Sequence, residues 1–268
     1  MDLKSTIYPA IRRVEHARRL PRYILWGGLL IAVLVAAGLR IVSWQIEPVL
    51  SRDAVGYVQD ALNINRQSED SSMAHLKPLT TSHRLYSLYL SSRLFALEPH
   101  QLGLVTNIVA GSLMPLLMFG ITILLWKHHE TALICALLAA VYPPWVKYSV
   151  NVQREIPHIF FWGCFFLSLL LFFRFRHLLF CVAMGISSAL CVAARYEGAE
   201  TLVISSIFFC ADFITRRGRF RRQIAYGFLC YLASFFIITE LVFLTIDFSL
   251  AGFIVAAWKK AMSFLIHR

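Results

Sequence analysis

Charged residues are scarce in this chain of 268 residues. Asp, Glu, Lys and Arg make up 15% of it, against about 25% in an average soluble domain. Hydrophobic residues make up 58%, and the mean hydropathy is +0.64. This composition excludes a disordered chain, and one soluble core cannot bury so large an apolar fraction. We therefore expect the lipid bilayer to form part of the solvent.

Sequence motifs for nucleotides, metals and disulfides are also lacking. There is no Walker motif and no G-x-G-x-x-G, so nothing supports nucleotide hydrolysis. The six cysteines stand singly in apolar runs without a C-x-x-C pair, and we expect them to be small packing residues. His128 and His129 have no further histidine at ligand spacing, so no metal is assigned to them.

Long apolar runs predict an all-α polytopic membrane protein, because a membrane helix needs about 20 mostly apolar residues. A basic tail (1–22) precedes a transmembrane module (23–246), and the segment 247–268 resembles the start of a further helix. The first run is too long for a cleaved signal peptide and is expected to be a retained anchor. The seven predicted spans are 23–43, 102–126, 131–148, 156–173, 178–194, 201–215 and 224–246.

The short segments between the predicted spans differ in charge. Segments 1–22, 127–130, 174–177 and 216–222 together hold 14 Lys and Arg against three acids. The positive-inside rule places these segments, and with them the N-terminus, in the cytoplasm. The formal net charge of +11 is therefore expected to orient the chain and contact lipid headgroups, not nucleic acid.

The same topology leaves a long loop, 45–100, outside the cytoplasm. Ser51 is expected to cap a surface helix, and the segment 84–97 predicts a second one. Asp53 falls in the first turn of the first helix, where the helix dipole favours an acid whatever its function. The expected apolar face of that helix consists of Ala54, Val55, Val58, Ala61 and Leu62.

Further charged residues lie near the predicted outer ends of the spans. Lys147, Glu155 and Arg195 stand on the same predicted side as Asp53, so we expect them to surround a polar cavity for an anionic headgroup. Arg40 is expected to extend its guanidinium to the headgroups instead, as is Arg93.

Two acids fall within predicted spans. Asp212 is expected to pair with the arginines that follow it. Glu240 is a second candidate centre, because a carboxylate inside the membrane suggests proton coupling in a transporter.

Three features, in this order along the chain, resemble the C-type membrane glycosyltransferase superfamily. The first outer loop begins with an acid followed by an aromatic residue (Asp53 and Tyr57), and a second acid, Glu155, begins the fourth span. A basic residue opens the turn after the fifth span, in the sequence Arg195-Tyr196-Glu197-Gly198. The similarity covers about residues 20–246 and is greatest to the bacterial branch related to protein O-mannosyltransferases and lipid A aminoarabinose transferases. Members usually continue with further spans, so this chain looks short at its C-terminus.

The resemblance implies an enzyme of the bacterial inner membrane that transfers a sugar, with inversion, from a polyprenyl-phosphate donor to an acceptor outside the cytoplasm. It implies Asp53 as general base, and Arg195 with Lys77 or Lys147 as the cations on the donor phosphate. Glu155 would orient the sugar or the acceptor, or help to hold a divalent cation if one is used; no other cofactor is implied. Tyr57 and Glu197 are the remaining expected substrate contacts.

The sequence leaves the sugar and the acceptor open. It also leaves two other classes of function open: a multi-pass transporter or lipid flippase centred on Glu240, and a non-catalytic scaffold that keeps only the helical module.

Overall fold

The computed structural model describes residues 21–46, 51–69, 86–87, 89–91, 96–216 and 219–244. Regular structure within these ranges is helical throughout. In chain order the helices are α1 (Arg22–Ile46), α2 (Arg52–Glu69), α3 (Pro99–Trp126), α4 (His129–Val141), α5 (Pro143–Ser149), α6 (Glu155–Phe175), α7 (Leu178–Ala194), a 3-10 turn (Tyr196–Ala199), α8 (Glu200–Thr215) and α9 (Arg219–Leu244). The basic tail before residue 21 and the segment after residue 244 lie outside the described residues. So does most of the second predicted loop helix, which is helical at 86–87 and 89–91.

Five helical segments are long and apolar enough to cross a membrane: α1, α3, α6, Tyr196–Thr215 and Phe220–Val242. The protein is therefore a helical membrane protein. α4 and α5 make a sixth candidate if they count as one span, whereas α7 is a shorter apolar helix of 17 residues. Helices thus occupy all seven predicted segments, but crossing of the membrane by seven of them is not confirmed.

The third predicted span is broken where two prolines follow each other. α4 ends at Val141, Tyr142 is extended, and α5 begins at Pro143 with an axis turned by 49°. Proline has no backbone N–H and disfavours helix in the residue before it, so it begins a helix more easily than it continues one.

Small residues bring α1 and α4 close together. Ala32 and Ala36 of α1 are fully buried in one cluster with alanines of α4, namely Ala132, Ala136 and Ala140. A second group, α6, α7 and α9, packs around large side chains that include Phe165, Phe172, Met184 and Tyr231. α3 lies between the groups and contacts α6, where Leu117 lies against Gly163. Membrane helices associate largely through such close approach of backbones, because lipid tails are as apolar as the side chains.

Gly185 marks the tightest approach of α7 to α9. A Cβ at this position would lie 2.6 Å from the carbonyl oxygen of Tyr231 and 2.9 Å from the amide nitrogen of Phe235. Because both are backbone atoms, no rotamer change relieves the overlap.

We expect Gly185→Ala to lower the stability of the folded protein by about 1–3 kcal/mol, the usual cost of overpacking. The measurement is the thermal unfolding midpoint in detergent. The matched control is Gly27→Ala in α1, where nothing lies within 4 Å of the added carbon and where alanine favours helix over glycine. Equal midpoints for the two variants would contradict the tight α7–α9 contact.

Candidate functional site

The guanidinium of Arg195 joins two carboxylates where α6 begins and α7 ends. Its Nη1 donates to Glu155 Oε1 at 3.0 Å, and its Nη2 and Nε donate to Glu197 Oε1 and Oε2 at 3.1 and 3.3 Å. The three side chains are about 30% exposed. We call these residues the Arg195 cluster and this part of the molecule the site end. The hydrogen bonds to Glu197 raise the pKa of Arg195. The cluster thus pairs one guanidinium with two carboxylates.

A tight turn places Glu197 beside Arg195. Arg195 is extended and ends α7, and the next four residues form a 3-10 turn that folds back on the last turn of that helix. A Cβ on Gly198 would lie 2.6 Å from the carbonyl oxygen of Cys191, so only glycine fits there. Thr201 Oγ1 donates to the carbonyl of Gly198 at 2.7 Å and fixes the entry into α8. The backbone of this turn therefore brings together the side chains of Arg195 and Glu197, which are only two positions apart in the sequence.

The loop helix α2 begins at the same end of the molecule. Ser51 Oγ accepts from the amide of Ala54 at 3.2 Å, which confirms Ser51 as the predicted cap. The buried face of α2 is Ala54, Tyr57 and Ala61, packed against Tyr86, Leu90 and Val152. The predicted face was wrong in one position, because Val55 is half exposed and the aromatic Tyr57 takes the inward position.

Tyr57 is the point where the charged groups of the site converge. Its ring contacts Tyr86 edge to face at 5.2 Å, and the Arg154 guanidinium lies 5.9 Å from its centroid. Burial raises the pKa of Tyr57, and the charges of Arg154, Glu155, Asp53 and Arg195 also act on its phenol. Three predicted site residues, Asp53, Glu155 and Arg195, therefore lie within electrostatic range of the fourth, Tyr57.

A buried amide holds the segment between α5 and α6. Asn107 of α3 is fully buried, and its Nδ2 donates to the carbonyls of Asn151 at 2.6 Å and Gln153 at 2.8 Å. The Tyr86 hydroxyl donates to the same Gln153 carbonyl at 3.4 Å. Burial raises the pKa of Tyr86. The Gln153 side chain in turn donates to Ser51 Oγ at 3.1 Å. One network therefore fixes the starts of both α2 and α6.

The site residues predicted from the sequence do not include Asn107, Gln153 or Tyr86. The only available signal was for Asn107, a lone amide within an apolar run that is expensive to bury without a partner. Gln153 and Tyr86 stand in polar or amphipathic stretches where nothing separates them from surface residues. Their roles emerge only when the loop and two helices meet.

The structure does not bring every predicted site residue together. Asp53 is exposed in the first turn of α2, and Lys147 is exposed on α5. Among the residues that the structure describes, no hydrogen bond or ion pair links either of them to the Arg195 cluster. Lys77 lies outside the described residues. The described ranges also contain no group of three or more His, Cys, Asp or Glu arranged to hold a metal ion.

The expectation for Arg40 was wrong. Its side chain turns inward and is fully buried. Nη1 donates to the carbonyls of Ala36 at 2.8 Å and Ala140 at 3.4 Å, and Nε donates to Ser149 Oγ at 3.1 Å. Ala140 lies in the last turn of α4 and Ser149 ends α5, so this guanidinium bridges both halves of the broken span. Gly111 of α3 leaves the space for it. Arg93 lies outside the described residues.

The two intramembrane acids differ in position. Asp212 pairs with Arg216 at 3.4 Å, as expected, and also with Arg176, which lies between α6 and α7. Glu240 lies 21 residues after the start of α9, about 31 Å along the helix at 1.5 Å per residue. It therefore stands toward the site end, away from the middle of the bundle.

Comparisons with protein-family models, with curated proteins and with solved structures give no match to this chain. The fold and the site define a helical membrane protein with a charged site at one end of its bundle.

We expect Asn107→Leu to destabilise the protein, because the carbonyls of Asn151 and Gln153 lose their donor. A buried orphaned acceptor costs about 1–3 kcal/mol. The measurement is the thermal midpoint together with hydrogen exchange at residues 151–155, which should become faster. Ser112→Ala on the same helix is the control, since its hydroxyl bonds only to its own helix at the Ile108 carbonyl. Unchanged exchange at 151–155 would show that Asn107 does not hold this segment.

Proposed function

We propose that this chain is a membrane glycosyltransferase that moves a sugar from a polyprenyl-phosphate donor to an acceptor hydroxyl. The observation that carries the proposal is the convergence of Asp53, Tyr57, Glu155 and Arg195. The superfamily resemblance selects these residues from three distant segments, and the charges of the other three, Asp53, Glu155 and Arg195, all act on the phenol of Tyr57. The ion pair between Arg195 and Glu155 could serve structure alone. That role would not require the loop helix α2 to bring Asp53 within electrostatic range of the same phenol.

Asp53 is the general base in this proposal. The acceptor oxygen attacks the anomeric carbon of the sugar while its proton passes to the Asp53 carboxylate. The bond between the anomeric carbon and the phosphate oxygen breaks, and polyprenyl phosphate leaves with the bonding electrons. The exposure of Asp53 suits a group that must receive a water-soluble or interfacial acceptor.

Arg195 is the group that stabilises the leaving phosphate. Its guanidinium already binds two carboxylates, so a phosphate must replace one of them. Guanidinium binds carboxylate and phosphate with the same planar fork of donors, which makes this exchange chemically simple. The displaced carboxylate, from Glu155 or Glu197, is then released to accept hydrogen bonds from sugar hydroxyls. Lys147 and Lys77 are further candidate cations for the phosphate.

Sugar transfer from radiolabelled polyprenyl-phosphate sugars tests the proposal. The assay uses membranes that contain the wild-type chain or Asp53→Asn, with equal amounts of folded protein established by gel filtration in detergent. We expect Asp53→Asn to lower the transfer rate by at least about 100-fold, the usual lower bound for loss of a general base. Glu130→Gln is the control, because Glu130 is an exposed acid in the first turn of α4. Equal rates for wild type and Asp53→Asn would remove Asp53 from the mechanism.

Arg195→Lys tests the exchange of carboxylate for phosphate. Lysine keeps the positive charge but cannot bind two oxygens of one group in a fixed plane. We expect the kcat/KM for the donor to fall by about 10-fold or more, equivalent to about 1.4 kcal/mol. The protein should stay folded, because the charge remains to balance the two acids. A kcat/KM equal to that of the wild type would exclude a phosphate fork at Arg195.

A transporter or flippase is the second candidate function, and the broken α4–α5 pair is the observation that favours it. Discontinuous helices commonly form the substrate sites of transporters near the middle of the bilayer. Against it, Glu240 lies toward the site end of α9. Loss of substrate transport in Glu240→Gln, together with absence of sugar transfer by the wild type, would favour the transporter. Absence of both activities would favour a non-catalytic scaffold.

A further inference from the structure

An apolar groove lies between α8 and α9, at the opposite end of the molecule from the proposed active site. It is a cavity of about 260 Å³. Apolar side chains line it throughout, among them Phe209, Phe213, Phe228, Ile224 and Cys210. Phe209 and Ile224 are buried and form the floor, while Phe213 and Cys210 are exposed at its edge. The groove therefore opens sideways toward the lipid.

Cations stand at the end of α8 and at the start of α9, the two helices that form this groove. Arg216 follows the last turn of α8, and Arg221 and Arg222 stand in the first turn of α9. All three side chains are exposed. Asp212 lies near the same end, but it already pairs with both Arg176 and Arg216. The electrostatic potential at the mouth of the groove is therefore positive.

Arg221 connects the charged mouth to the apolar wall. Its guanidinium lies 4.7 Å from the centroid of Phe213, and its Nε donates to the Phe213 carbonyl at 3.0 Å. This contact fixes the side chain beside the groove. Its terminal nitrogens make no hydrogen bond to any residue that the structure describes.

We infer that this groove binds an anionic phospholipid of the surrounding bilayer, with one acyl chain between α8 and α9 and the phosphate on Arg221 and Arg222. The arrangement has the two chemistries that such a lipid requires, an apolar channel and cations at the depth where the apolar segment ends. A zwitterionic lipid fits the channel equally well but gains less from the cations. This inference does not depend on the proposed glycosyltransferase activity.

Charge complementarity favours a lipid over a protein segment as the occupant. The segment 245–268 contains Lys259, Lys260 and Arg268 but only one acid, Asp247, so docking it here would bring like charges together. A second copy of the chain through the same face would also place arginine opposite arginine. Anionic lipid neutralises the cations instead.

The test uses photocrosslinking in nanodiscs. The probes are phosphatidylglycerol and phosphatidylcholine that carry a diazirine in one acyl chain, each at low mole fraction in unlabelled phosphatidylcholine. Crosslinked peptides are mapped by mass spectrometry. The exposed face of α1, which includes Leu30, Ile31 and Leu34, reports contact with bulk lipid in the same sample.

We expect phosphatidylglycerol to crosslink the peptides around Cys210 and Phe228 more than phosphatidylcholine, by about fivefold for each arginine engaged. The α1 face should show no such preference. The double variant Arg221→Gln, Arg222→Gln should reduce the preference to the level of α1. Arg174→Gln, an exposed arginine of α6 at the same end, should leave it unchanged. A separate variant, Ala225→Trp, should fill the groove and lower crosslinking there by both lipids.

Three results would overturn the inference. Equal crosslinking yields of the two lipids at the groove would show that the groove makes only ordinary, non-selective contact with lipid. If the double arginine variant kept the preference for phosphatidylglycerol, residues other than Arg221 and Arg222 would cause that preference. Absence of lipid crosslinks at the groove, while α1 is labelled, would show that protein covers it, and protein–protein crosslinks would then identify either residues 245–268 or a second copy.

Discussion

The paired hydrogen bonds from Asn107 to the carbonyls of Asn151 and Gln153 are the interaction on which the site end depends. A segment without helical bonds between two apolar helices has backbone carbonyls that lipid cannot satisfy. One buried amide supplies donors to two of them. Because Gln153 also bonds to the cap of α2, the same amide helps to position the first turns of α6 and α2, which carry Glu155 and Asp53.

Arg40 serves a comparable purpose at the broken span. A bend at two prolines leaves carbonyls of α4 without their usual donors, and the guanidinium reaches both sides of the break. The charge is costly to bury, but the alternative is unpaired backbone in an apolar environment. In both places a polar side chain from a neighbouring helix stabilises an irregular backbone, and the irregular backbone in turn positions charged groups.

The arginines at the two ends of the bundle have different partners. The Arg195 guanidinium lies between two carboxylates, so any anion that binds there must compete with them. The end near Arg221 has excess cations at an open apolar groove, so an anionic lipid meets no competing carboxylate at Arg221 or Arg222 among the described residues. The same residue type, arginine, thus suits exchange at one end and steady lipid contact at the other.

Composition and apolar run length determined that this protein is helical and embedded in a membrane, because each helix satisfies its own backbone and needs no distant partner. The sequence also located the helices and the cap at Ser51, which depend on residues close in sequence. Tertiary structure alone decided the inward turn of Arg40, the bonds of Asn107 and the neighbourhood of Tyr57. The bonds of Asn107, and those of Arg40 to Ala140 and Ser149, join residues 44 to 109 positions apart. Their energies depend on partners that no local pattern specifies.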